Sequence, residues 1–498
     1  MQHDFSNVPH ADIMRSTFNR SHEVKLTFNS GKIYPICTDE ILPGDTLNVK
    51  INGLTRLQTP LLPWFFCPNR LLWSNWKKCM GEQENPADSI DYTVPTVTAN
   101  FTESELYDYF GIPAGIAGLT INNLHARMYN KVWNEWFRDQ NLQDSVVVDT
   151  DDGPDSAGDY ILLERNKRHD YFTSALPWPQ KQTGGGIQLP LGTSALVTHD
   201  GSGVTNVAVE SPNFTNTTSQ LDASSTNLKT VDTDGSAGAS LYADLSSATA
   251  ATINDIREAF QLQKILEVSA RSGTRYPEII KGFFGVSSPD GRLQRSEYLG
   301  GGTTRIYIQP IANTSEDSTN PQGHLTPFAY GQTKGCGFNR SFTEHGCLLG
   351  LISVRSQLSY SQGIDKMWNR QTRYDYYVPQ TAHLGEVEIL NKELWADGSA
   401  NDELVFGYQE IWAEMRYKKS LVLGSLRSDH SASLDVWTLS QDFPTLPVLD
   451  STFIKEAPPI SRVVAVTNED EFIGQYAIQY MHTRPMPVFS IPGLVDHF

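Results

Sequence analysis

A mainly β protein, built as a large β-sandwich or jelly roll, is the fold class this sequence predicts, on three observations. The first is the stretch Cys347–Tyr360, CLLGLISVRSQLSY, in which Leu348, Ile352, Val354, Leu358 and Tyr360 fall on one face of a period-two pattern. The opposite face begins apolar (Cys347, Leu349, Leu351) and turns polar (Ser353, Arg355, Gln357, Ser359). That pattern predicts a strand buried on both sides at its start and on one side at its end. At about 3.3 Å per residue it would run roughly 45 Å, above the usual strand length. Its β-branched residues and the missing start cap argue against a helix. Second, 27 prolines and 37 glycines spread along the chain demand turns and long connections rather than a helical bundle. Third, 39% hydrophobic content with 10% aromatic supplies a sizeable core, and all-β folds run large as single units.

Taken in order, the chain opens with a polar stretch holding His3, His10, Arg15, Arg20 and His22, which reads as an extended arm that orders against neighbouring surfaces. Short strands are expected at Val24–Phe28, Ile33–Cys37 and Leu47–Leu54, with Pro43-Gly44-Asp45 as the turn before the last. Leu61–Met80 is dense in aromatics (Trp64, Phe65, Phe66, Trp73, Trp76) and reads as core and interface packing. Helices are predicted over Glu103–Phe110, closed by Gly111, and over Asn122–Arg138, where Leu124, Met128, Val132 and Trp136 recur at helical spacing. After Gln182 the composition shifts to Ser, Thr, Asn, Gly, Ala and Asp. This segment cannot bury much apolar area, and it reads as an exposed insertion with short β pieces at Ala195–Val197 and Val204–Val209. Thr252-Ile-Asn-Asp255 resembles a capping box. It starts a helix through about Ala270 with a stripe of Ile253, Ile256, Phe260, Leu262, Ile265 and Leu266. Tyr276-Pro277-Glu278 opens a shorter helix ending near Gly285. Strands are expected at Thr304–Ile311, Glu410–Arg416, Val463–Val466 and Gln475–Tyr480.

Formal net charge is −18, from 57 acids against 39 bases, which argues against an outer surface that binds nucleic acid but leaves room for a basic inner face. No signal-peptide core and no run of about 18 apolar residues is present, so membrane insertion is not expected. Five scattered cysteines without CxxC spacing fit a reduced, cytoplasmic origin better than a disulfide framework. Glu344-His345-Gly346-Cys347 gathers metal-ligand types, but no second Cys or His pair follows at a standard spacing, so no metal is assigned. Gly300-Gly301-Gly302 precedes a strand without Lys-Ser/Thr and is no phosphate loop. The acid-rich Asp149–Asp159 resembles a calcium loop without its closing glutamate and reads as a solvated turn. With neither GxSxG nor HExxH, nothing points to a catalytic residue, a cofactor or an enzyme.

Nucleic-acid contact has three candidates. Arg165-Asn-Lys167-Arg168-His169 is the densest basic run. Trp368–Tyr377 interleaves Arg370 and Arg373 with aromatics, as a groove that tracks a backbone and stacks bases would. The arm adds Arg15, Arg20 and Lys25. The competing reading of each is inter-subunit or core packing.

The chain also carries a family signal. MRSTFNRSHEVKLTFNSGKIYPICTDEILPGDT resembles the opening of the major capsid proteins of Microviridae, in the gokushovirus branch. The resemblance extends through CPNRLLWSNWKKCMGEQ, DYFTSALPWPQK, REAFQLQKILEVSARSGTRYPEIIKGFFGVSSPDGRLQRSEYLGG, CLLGLISVRSQLSYSQGIDKMWNRQTRYDYYVPQTAHLGE, VFGYQEIWAEMRYK and RPMPVFSIPGLVDHF, in consistent order. It thins through Leu142–Asp159 and fails inside Gly192–Ala250. Between Thr59-Pro60 and Phe65-Phe66 the chain is shorter than the family pattern, so family contacts at that loop are not carried over.

The resemblance implies an eight-stranded antiparallel jelly roll with helices and long loops between strands. It divides the chain into an arm (1–22), a first part of the jelly roll (23–190), an insertion forming a threefold protrusion (191–250) and a second part (251–498). It implies a T=1 icosahedral shell around circular single-stranded DNA, made in the bacterial host cytoplasm. Copies would meet about two-, three- and fivefold axes. Minor virion proteins, such as a DNA pilot and an internal scaffolding protein, would be partners. Host attachment would use the insertion, with Asp200, Asn213, Asn216, Asp222, Lys229, Asp232 and Asp234 as its candidates. Two rivals stay open on residues alone: a carbohydrate-binding β-sandwich, and a glycoside hydrolase with two carboxylates roughly 5 to 9.5 Å apart.

Overall fold

The computed structural model describes residues 14–57, 65–75, 94–151, 153–179, 181, 196–199, 206–209, 228–231, 241–244, 253–287, 289, 295–312, 314, 322–323, 325–466 and 468–489. The arm before Met14, the shortened loop after Pro60 and, from the aromatic-rich Leu61–Met80, residues 61–64 and 76–80 lie outside them. Two compact units are present, Met1–Pro179 with Ser272–Phe498, and Gln180–Arg271.

The larger unit is mainly antiparallel β. Its first strands are β1 (Ser16–Asn19), β2 (His22–Phe28), β3 (Tyr34–Ile41), β4 (Thr46–Leu57) and β5 (Phe65–Asn75), and β6 (Thr96–Ala99) pairs with β7 (Leu119–Asn122). The smaller unit carries β8 (Leu196–His199), β9 (Asn206–Val209), β10 (Leu228–Val231) and β11 (Leu241–Asp244), paired β8 with β11 and β9 with β10. The larger unit resumes with β12 (Glu297–Ala312), β13 (Leu325–Ser341), β14 (Gly346–Ile352), β15 (Glu386–Leu390), β16 (Val405–Glu410) and β17 (Phe472–Arg484).

One continuous ladder runs β1-β17-β4-β13-β12-β5-β14-β3, with β2 also on β17. β12 joins its two halves, pairing β5 through Glu297–Ile306 and β13 through Tyr307–Ala312. Leu47, Val49 and Ile51 of β4, Tyr476, Ile478 and Tyr480 of β17, and Ile36, Leu348 and Ile352 of β3 and β14 share one buried cluster. The ladder therefore folds over and packs on itself face to face, as sandwiches do. β17 shows why the sequence allows it: Phe472, Gly474, Tyr476, Ile478, Tyr480 and His482 alternate inward along its length. Gly53 lies opposite Tyr476, and a Cβ there would strike the tyrosine ring, whose hydroxyl meets Thr55 Oγ1 at 2.5 Å.

β14 is buried on both faces. Cys347, Leu349 and Leu351 point into a second cluster with Leu124, Met128 and Val132. Those residues belong to α2 (Leu124–Trp136), which follows the one-turn α1 (Leu106–Tyr109). Each fully buried leucine of β14 is worth about 1.5–3 kcal/mol. Within the helix stripe Arg127 is also completely buried, its Nε donating to Asp155 Oδ2 at 2.7 Å and its Nη1 to Asp151 O at 2.7 Å. Burial pushes the Asp155 carboxyl up, and the Arg127 and Asn123 hydrogen bonds outweigh it and hold the group below the usual range.

Several expectations are corrected. The long strand ends at Ile352, although the inward alternation of Val354, Ser356, Leu358 and Tyr360 continues as expected. Beyond Ile352 the backbone bonds to loops: Gly31 N donates to Val354 O at 3.0 Å, and Ser356 N to Glu456 Oε1 at 3.0 Å. Glu103–Phe110 shrinks to one turn, closed by Gly111 at φ +85°. Glu410–Arg416 is no strand: β16 stops at Glu410, Trp412 turns at φ +65°, and Ala413–Arg416 is helical. Val463–Val466 follows a 3₁₀ turn at Ile460–Arg462 rather than forming a strand, because Val463 N and Val464 N bond back to Ile460 O. Asp149–Asp159 is not wholly solvated, since Asp155 is the partner of Arg127.

The helices after the insertion form where expected, as α3 (Ile253–Ser272) and α4 (Tyr276–Phe284), the latter closed by Gly285 at φ +68°. Along the α3 stripe Phe260, Leu262 and Ile265 are exposed, while Leu266 is half-buried. No helix among the described residues is long and apolar enough to cross a membrane.

Candidate nucleic-acid and subunit interface

The aromatic and basic segment around Trp368–Tyr377 is built as a braced loop. It leaves a third buried cluster, which holds Phe172, Leu358, Ile389 and Phe406, at Tyr360 and runs through short 3₁₀ turns at Lys366–Asn369, Arg373–Asp375 and Pro379–Thr381. At its root a Cβ on Gly363 would strike the carbonyl of Glu393, so the close approach of the two backbones requires glycine. Lys419, almost wholly buried, donates to Glu393 O at 2.8 Å and reaches Asp365 Oδ1 at 3.4 Å, while Lys418 pairs with the other Asp365 oxygen. Burial raises the Asp365 carboxyl, but the two lysines outweigh it and hold it below its ordinary value. Lys366 donates to Glu388 O at 2.8 Å, and Arg370 Nη2 donates to Glu414 Oε1 at 3.0 Å. Asp375 accepts from Thr372 N at 2.6 Å and Gln371 N at 2.9 Å, which lowers its carboxyl.

The segment's carboxylates are thus spent on its own bracing, and what faces outward is aromatic and cationic. Trp368 is 74% exposed and Tyr374 81%, with Tyr376 and Tyr377 also exposed. Arg373 lies 5.9 Å from the Tyr374 ring centre and Arg370 5.6 Å from that of Tyr376. A cavity of about 280 Å³ beside the loop is lined by Tyr171, Asn369, Arg370, Glu393 and Trp412. The buried Glu393 carboxyl is pushed up by burial, with Lys366 opposing. Flat aromatic faces beside guanidinium groups can stack bases or pack against a protein surface.

The other basic candidates sit differently. Arg165 and Lys167 are buried in the subunit: Arg165 Nη1 donates to Ser353 Oγ at 2.5 Å, and Lys167 Nζ lies 4.5 Å from the Phe453 ring centre. Burial brings the Lys167 ammonium down to about 8, against the pull of Glu456 and Asp170. Arg168 beside them is exposed. Arg15 donates to Gly44 O, Arg20 pairs with Asp39, and the exposed Lys25 lies 3.7 Å from Glu23. Lys229 lies on β10, opposite Ala208, whereas Asp200, Asn213, Asn216, Asp222, Asp232 and Asp234 fall outside the described residues.

No group of three or more potential metal ligands occurs among the described residues. The buried Cys347 faces the second cluster while His345 is exposed, which separates that sequence cluster across the chain surface. Burial raises the Cys37 thiol to about 12, leaving it un-ionised and inert. Sequence reasoning missed one assembly, the charged knot of Arg20, Asp39, Asp45, His482 and Arg484. Its sequence signals are Arg20 among the basic residues of the arm, Asp45 within the turn tripeptide and His482 two residues beyond the strand expected at Gln475–Tyr480.

Comparison with known proteins gives a consistent family. A model of the family described as capsid protein (F protein) matches residues 6–494. Capsid protein VP1 of Bdellovibrio phage phiMH2K is 44% identical, over 100% of this chain and 98% of its own length. Capsid protein VP1 of Chlamydia phage 1 is 38% identical over 99% and 98%, and that of Spiroplasma virus 4 is 33% identical over 99% and 97%.

Proposed function

The chain belongs to the capsid protein (F protein) family of Microviridae phages, a structural component of the virion and not an enzyme, and from that premise we propose that it is the major shell protein of a small T=1 particle enclosing circular single-stranded DNA. The family match over nearly the whole chain carries this reading. The two-layered antiparallel ladder supports a jelly roll: β5 sits between β12 and β14, and β4 between β13 and β17. Early strands thus pair with late ones, as long Greek-key crossovers require.

In this reading the protein is made in the host cytoplasm, and copies of it meet about two-, three- and fivefold axes. A pilot protein and an internal scaffold assist assembly. The polar insertion stands out at the threefold axis for attachment to a host receptor. The segment Trp368–Tyr377 faces the packaged DNA, supported by its exposed aromatics and by Arg373 at the Tyr374 ring. The net charge of −18 then lies mostly on the outside, away from the phosphates.

Negative-stain microscopy of native material, with and without nuclease, tests the reading. Uniform shells with protected single-stranded DNA are expected. A protein that stays monomeric when scaffold and DNA are supplied overturns it. Trp368→Ala with Tyr374→Ala should lower the DNA retained per particle while leaving shells intact; unchanged retention removes that segment from the DNA face.

A further inference from the structure

The knot that sequence reasoning missed contains a histidine with no freedom of tautomer. His482, completely buried on β17, lies opposite Phe18 of β1 in the ladder. Its Nδ1 is 3.0 Å from Arg20 Nη1 and its Nε2 is 2.8 Å from Asp45 Oδ2. A guanidinium nitrogen only donates, so Nδ1 must present its lone pair and Nε2 must carry the proton that Asp45 accepts. The neutral imidazole is therefore the form that fits both neighbours.

Of these neighbours Arg20 fastens the arm, and Asp45 ties the turn before β4 to β17. Arg20, between β1 and β2, also donates to both Asp39 oxygens at 2.5 and 3.1 Å and through its backbone N–H to Tyr480 O at 2.8 Å. Tyr480 donates to Asp39 Oδ2 at 2.6 Å. Asp45 additionally holds Leu42 N at 2.9 Å and Arg484 Nε at 3.1 Å. The charged groups facing the ring are thus Arg20 from the arm, Asp39 from β3, Asp45 from the turn before β4 and Arg484 from β17. His125 on α2 bears on Asp39 and Glu40 from the helix side.

We propose that His482 is an acid-released latch that holds the N-terminal arm, β1 and the turn to β2, against β17. Protonation places an N–H at Nδ1 where Arg20 needs an acceptor, and it adds a buried positive charge between Arg20 and Arg484. The Arg20 contact is lost and the arm lifts, while the cluster between the two layers keeps its apolar packing. Burial lowers the His482 imidazole below 6.5, and Arg484 adds to that against the pull of Asp45 and Asp39. A folded-state value below the unfolded one means the latch is fully closed above 6.5 and is lost as pH falls through the lower value.

Hydrogen–deuterium exchange of the full chain, corrected for intrinsic rates, should read this at pH 7.5 and 5.5 on peptides covering Ser16–Ser21. Exchange of the arm should rise by up to about tenfold for each pH unit between 6.5 and the folded-state midpoint. His482→Gln, which cannot titrate, should abolish the rise, whereas His125→Gln should keep it. An arm equally protected at both pH values, or a rise that survives in His482→Gln, overturns the latch. Exchange at the imidazole C2–H position of the unmodified protein gives the His482 midpoint without any variant. A midpoint at or above 6.5 also overturns it.

Discussion

The two halves of Cys347–Tyr360 share a burial pattern and differ in what their backbones bond to. In β14 the backbone is paired on both sides, with β3 and β5, and side chains are buried on both faces. From Val354 onward every second side chain is still buried, yet the backbone bonds to Gly31 and the Glu456 carboxylate instead of to strands. Alternation in sequence therefore records which side chains go inside an extended chain. It does not record whether a partner strand lies alongside.

That contrast can be broken from either side. The largest effect is expected in β14: Leu348→Ala should cost about 2–5 kcal/mol in denaturant unfolding, because neither neighbouring layer can collapse into the gap. A loss under 1 kcal/mol would mean that the double-sided burial is not what stabilises this half. In the loop-tethered half, Glu456→Ala should cost about 1–3 kcal/mol by leaving Ser356 N and Oγ without their acceptor. Glu456→Gln keeps an oxygen there and should recover most of the loss; no recovery would show that charge rather than hydrogen bonding holds this stretch.

The Lys167 ammonium, whose charge partners include Glu456, sharpens the comparison through pH. The unfolded lysine keeps its proton to about 10.5, whereas the folded one releases it near 8. The unfolded chain therefore binds more protons between those values, and stability should rise with pH there by up to about 1.4 kcal/mol per unit. Lys167→Met should flatten that rise, as measured by chemical denaturation at pH 7.5, 8.5 and 9.5. The smallest effect is expected where the chain leaves the core: Trp368→Ala should change unfolding free energy by no more than about 0.5 kcal/mol. A larger loss would mean that the exposed ring is a structural prop and not a contact surface.

Legibility followed the same division. The helix Leu124–Trp136 was readable because Leu124, Met128 and Val132 make a stripe that needs only one face covered. Arg127 within that stripe was a visible anomaly, but its partner Asp155 lies in a segment that composition marks as solvated. Glu410–Arg416 misled because Trp412 takes a positive φ that no local propensity favours, with its indole Nε1 donating to Thr381 O at 3.4 Å. The Trp368–Tyr377 segment was legible as a mixture of rings and cations. Its bracing was not, since Lys418, Lys419 and Glu414 come from a distant stretch of sequence.

By itself the sequence determined the mainly β class, the inward face of β14 and the family, because each is written in neighbouring residues or in their order along the whole chain. Tertiary structure alone decided where ladders stop, which basic residues are consumed inside the subunit, and that His482 sits between Arg20 and Asp45. Those outcomes depend on charges and backbone groups hundreds of residues apart arriving within 3 Å of one another, and no local pattern encodes such a meeting.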